Sequence, residues 1–251
     1  MISLEIADCI ATITLCRPPV NAINEEWLDQ MNAAIDTIAA SPAVSVVIVA
    51  SNERTFCAGA DLRLMASRFD TDEGRDQMIA FVRRIQQTYV RLENLGAVSI
   101  AMINGAAMGG GFELALACDL RVISETAKVG LPEAKLGLLP GAGGTQRMTL
   151  KCGDDVARRL ILGAEIVDGK LARDLRIAHW CVPSTEIAAF TQDLAERVAT
   201  SSSAALAECK QCIAAAGHTD EDGYERELTG TRTLLETEQT QKRVRDFLGA
   251  S

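Results

Sequence analysis

Histidine is scarce in this chain, with two residues in 251. That leaves little material for a zinc site or a Ser-His-Asp relay, so neither is expected. A basic excess is also missing. With 25 Lys and Arg against 34 Asp and Glu the formal charge is −9, whereas nucleic-acid binders normally carry a basic surplus or stripe. Nucleic acid is therefore not an expected partner. Long apolar runs are absent too: the least polar stretch, 96–112, is interrupted by Ser99, Asn104 and a glycine cluster, and a membrane span needs ~20 apolar residues. The opening residues, MISLEIADCIATITLC, lack a basic segment and carry Glu5 and Asp8, so they do not read as a secretory leader. The eight cysteines follow no regular spacing, which suits reduced thiols and a cytoplasmic location. Cys209 and Cys212 form a CxxC with no second pair, inside the helical pattern AALAECKQCIAAA, and read as ordinary helix residues.

What is present is an ordinary globular composition, 48% apolar and 24% charged, long enough for a sizeable core. Two short alternating runs, 2–7 and 10–15, read as a hairpin. Asn24 is placed to cap the helix EEWLDQMNAAIDTIAA, in which Trp27, Leu28, Met31, Ala34, Ile35 and Ile38 recur at helical spacing and predict one buried stripe. The continuously apolar run 44–50 predicts a strand buried on both faces. A loop over 51–60 and a charged helical stretch from Asp61 to about Glu93 follow. Strands are expected at 98–103 and 119–123, separated by glycines and an alanine-rich helix. Beyond Gly141 the pattern is helical, apart from a short apolar run at 177–182. Strands alternating with helices predict an α/β core over 1–195, and the helical remainder, 196–251, predicts a cap or an assembly surface, an oligomerisation segment in the second case. The charged end, GTRTLLETEQTQKRVRDFLGAS, is either a solvated amphipathic helix or one that packs on a neighbouring subunit.

Glycines cluster at Cys57-Ala-Gly-Ala-Asp61, at 105–111 and at Pro140-Gly-Ala-Gly-Gly-Thr145. Neither later cluster is a nucleotide loop: Gly105-x4-Gly110 is followed by Gly111 where a Walker loop needs lysine, and Gly141-x-Gly143-x-x is followed by Gln146. The second cluster opens the helix GFELALACDL, so its amides lie near a helix N-terminus, where an anion or a developing oxyanion is favoured. Glu113 is the only charged residue between Glu93 and Asp119. A lone carboxylate on such a helix either raises its pKa, as a general acid or base at neutral pH requires, or is a first-turn glutamate held by the helix dipole or a capping box. Glu133, after Pro132, carries the same pair of readings at the start of a short helix. Together they form a pair able to share one water or pass a proton on and off carbon.

The text around these residues resembles the enoyl-CoA hydratase/isomerase (crotonase) superfamily. It matches in RPPVNAIN (17–24), RTFCAGADL (54–62), INGAAMGGGFELALACDLRV (103–122) and LPEAKLGLLPGAGGTQR (131–147), in that order. The resemblance implies a spiral of ββα units with a C-terminal helical trimerisation segment, trimers commonly pairing into hexamers. It implies that the N–H groups of Ala60 and Gly110 form an oxyanion hole for a thioester carbonyl. It also implies that Glu113 orients and deprotonates a water while Glu133 supplies a proton to the α-carbon, with backbone of Gly141 helping to hold the water.

The implied reaction is syn hydration of a trans-2-enoyl-CoA to the 3-hydroxyacyl-CoA, with coenzyme A carried in on the acyl-CoA thioester and no separate cofactor. Relatives that are isomerases, hydrolases, decarboxylases or noncatalytic CoA- or RNA-binding proteins are the alternatives. Isomerases often keep one of the two glutamates; both are present here. Coenzyme A is expected against Val20, Ala22, Ala58, Asp61 and Leu62, with Pro132 nearby. Arg54 either meets a CoA phosphate or is a solvated loop arginine, and Asp61 reads as a helix cap rather than a catalytic acid. Met65, Phe69, Met78 and Phe81 lie where acyl-pocket residues vary, and equally at helix-core spacing. The family's basic tail is not matched: Ala250 stands where a lysine is often found, which implies a weaker CoA contact there. His179 and His218 are assigned to structure. Because CoA is itself polyanionic, a net charge of −9 calls for a local basic rim or backbone amides at its site.

Overall fold

The protein, described as a computed structural model over residues 1–217 and 222–249, is built on two sheets. The elements run in the order β1 (Ile2–Ala7), β2 (Ile10–Leu15), α1 (Glu25–Ala39), β3 (Val46–Ser51), α2 (Leu62–Ala66), α3 (Asp72–Glu93), β4 (Val98–Ile103), β5 (Ala107–Met108), α4 (Gly110–Ala117), β6 (Leu120–Ser124) and β7 (Lys128–Gly130). A 3₁₀ turn (Glu133–Leu136) follows, then α5 (Gly144–Cys152), α6 (Asp154–Leu162), β8 (Ile166–Asp168), α7 (Gly169–Asp174), β9 (Trp180–Val182), α8 (Ile187–Ala199), α9 (Ser203–Ala215), α10 (Gly223–Leu235) and α11 (Glu238–Gly249). The larger sheet has the order β1-β2-β3-β4-β6-β9, antiparallel only at β1-β2, and the smaller one the order β5-β7-β8.

The anticipated hairpin pairs Ile2 with Leu15 through to Ala7 with Ile10. The Asn24 side chain accepts the Trp27 N–H at 2.9 Å, and all six residues of the predicted stripe on α1 are buried. Strand β3 is buried on both faces, because Val47 and Val49 join the main core while Val46, Ile48 and Ala50 meet a second cluster formed largely by α8. A strand enclosed this way loses its alternation and reads as a continuous apolar run.

Three expectations are corrected. The helical stretch from Asp61 to Glu93 is two helices, separated by residues 67–71: Asp61 caps α2 by accepting the Arg63 N–H, and Thr71 caps α3 by accepting that of Gly74. The smaller sheet, missing from the sequence reading, uses strands of two or three residues, too short to carry a period of their own. Residue 195 lies inside α8, whose Ile187, Leu194 and Ala195 pack on the larger sheet, so the elements change character at Ser202, the N-cap of α9, rather than at 195. Cys209 and Cys212 both lie on α9. His218 and Ala250 are outside the described residues.

Candidate active site

The site forms where the chain leaves the C-terminal ends of β3 and β4, the usual position for ligands in a parallel sheet. The two exit segments run side by side. Cys57 donates to Ala106 O at 3.1 Å and Met108 to Cys57 O at 3.0 Å, and Ile23 bridges Ala60 on the other side. This approach demands glycine: a Cβ on Gly111 would stand 2.1 Å from the Cys57 carbonyl oxygen, and Gly59 adopts φ +92° with its would-be Cβ 2.8 Å from Met108 O. The effect is to set the Ala60 and Gly110 nitrogens around one small space. A methyl carbon on Gly110 would lie 3.5 Å from the Ala60 nitrogen. Among the described residues neither N–H has a backbone acceptor. Gly110 is the first residue of α4, where unpaired N–H groups and the helix dipole favour negative charge. Its carbonyl accepts the hydroxyl of Tyr89, a fully buried residue of α3, at 2.7 Å.

Glu113, one turn into α4, is only 2% exposed. Its Oε1 accepts two backbone N–H groups, from Ala142 at 2.8 Å and Gly144 at 2.7 Å. The capping-box alternative is thereby replaced, since the side chain reaches across to the Pro140–Gly144 loop instead of back to its own helix start. Burial pushes its pKa up to about 7; the Gly144 hydrogen bond opposes this, the Glu133 charge reinforces it, and Ala142 and Arg147 pull it down. Glu133 lies on the 3₁₀ turn that Pro132 opens. Its Oε2 is enclosed without a hydrogen-bond partner, and burial raises its pKa. A methyl on Gly109 would stand 3.0 Å from Glu133 Oε1, and one on Gly144 2.8 Å from Glu113 Oε1. The two carboxyl groups and the two unpaired N–H groups therefore border the same loop cluster.

The residues expected at coenzyme A flank this cluster. Ala58 N–H donates to Val20 O at 3.0 Å, so the segment after β2 is laid against the Cys57–Asp61 stretch. Ala58 and Arg54 are exposed, and Leu62 is 55% exposed. Asp61 pairs with Arg17 at 2.8 Å, which with the α2 cap holds its carboxyl below the usual range. Arg17 also donates to Ala22 O. Pro132 is half-buried, and the Gly141 carbonyl accepts the Gln86 side-chain amide at 2.6 Å. Of the residues placed at the acyl pocket, Phe81 is buried in the core and Phe69 is exposed. His179 accepts the Arg121 N–H at 3.0 Å and burial pulls its pKa down to about 4, a neutral structural acceptor. Among the described residues no group of three His, Cys, Asp or Glu is arranged to hold a metal ion, and no helix is long and apolar enough to cross a membrane.

Four supporting residues were missed from the sequence. Arg17 and Asn21 tie the segment after β2. Asn21, wholly buried, donates to Ser51 Oγ and to the Thr55 and Phe56 carbonyls. Arg147 donates from Nη1 to Ala142 O and from Nε to Glu93, both at 2.9 Å, and so braces the loop that binds Glu113. Tyr89 is the fourth. Arg147 stands at the end of the motif LPEAKLGLLPGAGGTQR, a signal that something there needs a cation; Tyr89 and Asn21 have no local signature.

The chain and its fold both have known relatives. The profile of the enoyl-CoA hydratase/isomerase family matches residues 5–249. A probable enoyl-CoA hydratase of Bacillus subtilis (strain 168) is 38% identical over 174 residues, which are 69% of this chain and 66% of that protein. The 2,3-dehydroadipyl-CoA hydratase of Escherichia coli (strain K12) is 35% identical over 205 residues, 81% of this chain and 78% of that protein. The crystal structure of an enoyl-CoA hydratase from Bacillus anthracis superimposes with a TM-score of 0.92 at 29% identity, over 99% of this chain and 96% of that one. A crotonase-type fold with buried carboxyl groups beside unpaired amides thus defines the class, and the chain belongs to the enoyl-CoA hydratase/isomerase family.

Proposed function

We propose that this protein is an enoyl-CoA hydratase that adds water syn across the 2,3 double bond of a trans-2-enoyl-CoA, giving the 3-hydroxyacyl-CoA. The observation that carries the reading is the convergence of two glutamates with raised pKa and two unpaired backbone N–H groups on one loop cluster. The thioester oxygen would accept from Ala60 and Gly110, which draws electron density from the double bond and makes the β-carbon electrophilic. Water attacks that carbon as Glu113 takes its proton. The π electrons pass into an enolate that the two amides stabilise, and Glu133 gives a proton to the α-carbon. The proton on Glu113 then replaces the one lost by Glu133, so the cycle closes with water's atoms divided between the two carbons. The Pro140–Gly144 loop serves the first step by holding Glu113 Oε1 on two N–H groups, which leaves Oε2 for the water.

We also read the C-terminal helices as the surface of a homotrimer or a pair of trimers. This rests on exposed apolar residues along them, Leu228 and Leu235 on α10 and Val244 and Leu248 on α11. Light scattering on the purified chain tests that reading, and a monomer at micromolar concentration overturns it.

The activity is tested with a panel of enoyl-CoA thioesters of varied length and branching, followed by loss of the conjugated enoyl absorbance. Hydration of at least one member is expected, lost in Glu113→Gln and in Glu133→Gln. If nothing in the panel is hydrated, or Glu133→Gln keeps full activity, the mechanism fails.

A further inference from the structure

Glu113 meets the loop that binds it through two peptide N–H groups, and the direction of one of them is set elsewhere. The Ala142 N–H that donates to Glu113 Oε1 at 2.8 Å shares one peptide plane with the Gly141 carbonyl. In a trans peptide the C=O and N–H point in opposite directions from a rigid plane. Whatever grips that carbonyl therefore aims the N–H. The grip is Gln86, one face of α3, whose Nε2 donates to Gly141 O at 2.6 Å. Four residues earlier on the same face, Val82 comes within 3.2 Å of where a Gly141 Cβ would be, so the helix and the loop are in contact at both points. The next peptide is held differently, by Arg147 on the Ala142 carbonyl.

We propose that Gln86 is a positioning residue that acts through the Gly141–Ala142 peptide, fixing the orientation of the Glu113 carboxylate and strengthening the hydrogen bond it accepts. A chain of hydrogen bonds polarises its members, so donation to the carbonyl makes the N–H on the other side of the plane a better donor. That donation favours the ionised form of Glu113. The charged and titratable groups that also act on Glu113 are Glu133 from the 3₁₀ turn, Arg147 from α5 and, from α3, Tyr89; none of them donates to the Gly141 carbonyl among the described residues. The inference rests on the proposed role of Glu113 for its effect on rate, but not for its effect on that residue's ionisation.

The test uses three variants at an exposed helix position: Gln86→Met, which keeps length and loses the donor, Gln86→Glu, which puts an acceptor in its place, and Gln86→Lys, which restores a donor. Two readouts are taken against pH: kcat and KM on the substrate found in the panel, and the ¹⁵N–¹H shift of Ala142 in protein labelled with ¹⁵N-alanine. For Gln86→Met and Gln86→Glu the ascending limb of kcat and the Ala142 titration midpoint both move to higher pH. With them kcat near neutrality falls by about 2–10-fold, the range expected for one hydrogen bond, KM stays unchanged, and Gln86→Lys returns both midpoints. An unmoved Ala142 midpoint, a kcat loss that is the same at every pH, or a Gln86→Lys protein that behaves like Gln86→Met overturns the inference. Should no thioester be hydrated, the hydratase reading fails while the Ala142 titration still decides the role of Gln86.

Discussion

Glu113 sits on α4 with one carboxylate oxygen held by two backbone N–H groups, whereas Glu133 sits on a 3₁₀ turn with Oε2 enclosed and unpartnered. Both are pushed toward the neutral form by burial; in Glu113 that push is opposed by two N–H groups of a facing loop, in Glu133 only by its own backbone N–H. The difference matches the roles assigned to them. A group that must be ionised to take a proton from water needs donors to its anion, while a group that must hold a proton for carbon is better left with fewer of them. On the proposed mechanism, surroundings alone would divide two like side chains into base and acid.

The largest effect expected of breaking this division is on rate. Glu113→Gln and Glu133→Gln should each lower kcat by ~10²–10⁴-fold, the usual contribution of a positioned acid or base. In the unsubstituted protein kcat should rise with pH through an apparent value near 7, where Glu113 ionises. A flat profile across this range would remove the assignment.

Stability separates the pair next. Because the folded-state pKa of Glu113 lies above its ordinary 4.5, at about 7, the folded protein binds this proton more tightly than the unfolded chain. Stability is then fullest below pH 4.5, falls as pH rises between the two values, and stays reduced above. Glu113→Gln has no such charge to bury and should gain up to about 3 kcal/mol near pH 8 but little near pH 5, from ~1.4 kcal/mol per unit of pKa difference. Melting temperatures of the two proteins at both pH values measure this. An equal change at both, or a loss at pH 8, counts against the buried anion.

The smallest contrast is between two glycine substitutions. Gly144→Ala puts a methyl 2.8 Å from Glu113 Oε1 and 2.9 Å from the Pro140 ring, against a carboxylate that is already fixed. Gly109→Ala meets the far end of Glu133 at 3.0 Å and carries a backbone at φ +50°. Gly144→Ala should therefore lose more kcat, on the order of 10-fold or more, while Gly109→Ala should lose about 1 kcal/mol of stability and little rate. The reverse ranking would mean that Glu133, and not Glu113, is the rigidly held group.

Much of this was legible in the sequence, for identifiable reasons. The α1 stripe could be read because burial follows a helical period, and β3 because a strand covered on both faces is apolar throughout. Glu113 stood out as a lone charge in an apolar stretch, and the glycines at 59 and 109–111 as backbone without side chains. The division of 61–93 into two helices was signalled by Thr71 ahead of Asp72, Glu73 and Gly74, a capping pattern outweighed by the continuing run of charge. By contrast β5 and β7 exist only through pairing with each other and β8, and nothing local to two or three residues specifies that. Gln86 and Gln87 are the same residue side by side on an exposed helix surface; only the fold says which one meets a loop more than fifty residues away in sequence.

Val82, Gln86 and Tyr89 stand at i, i+4 and i+7 on α3, and each touches a different part of the site: the Gly141 backbone, its carbonyl, and the carbonyl of Gly110. One added or deleted residue between Val82 and Tyr89 would turn the two sides of that stretch by ~100° relative to each other and detach at least one of these contacts. Residues 67–71, largely exposed between the caps of α2 and α3, are tied through Arg68 to Glu25 and Phe81 and not to the loops of the site. Variation in chain length among proteins of this kind should therefore collect in that short connection and be excluded from the helix that follows it.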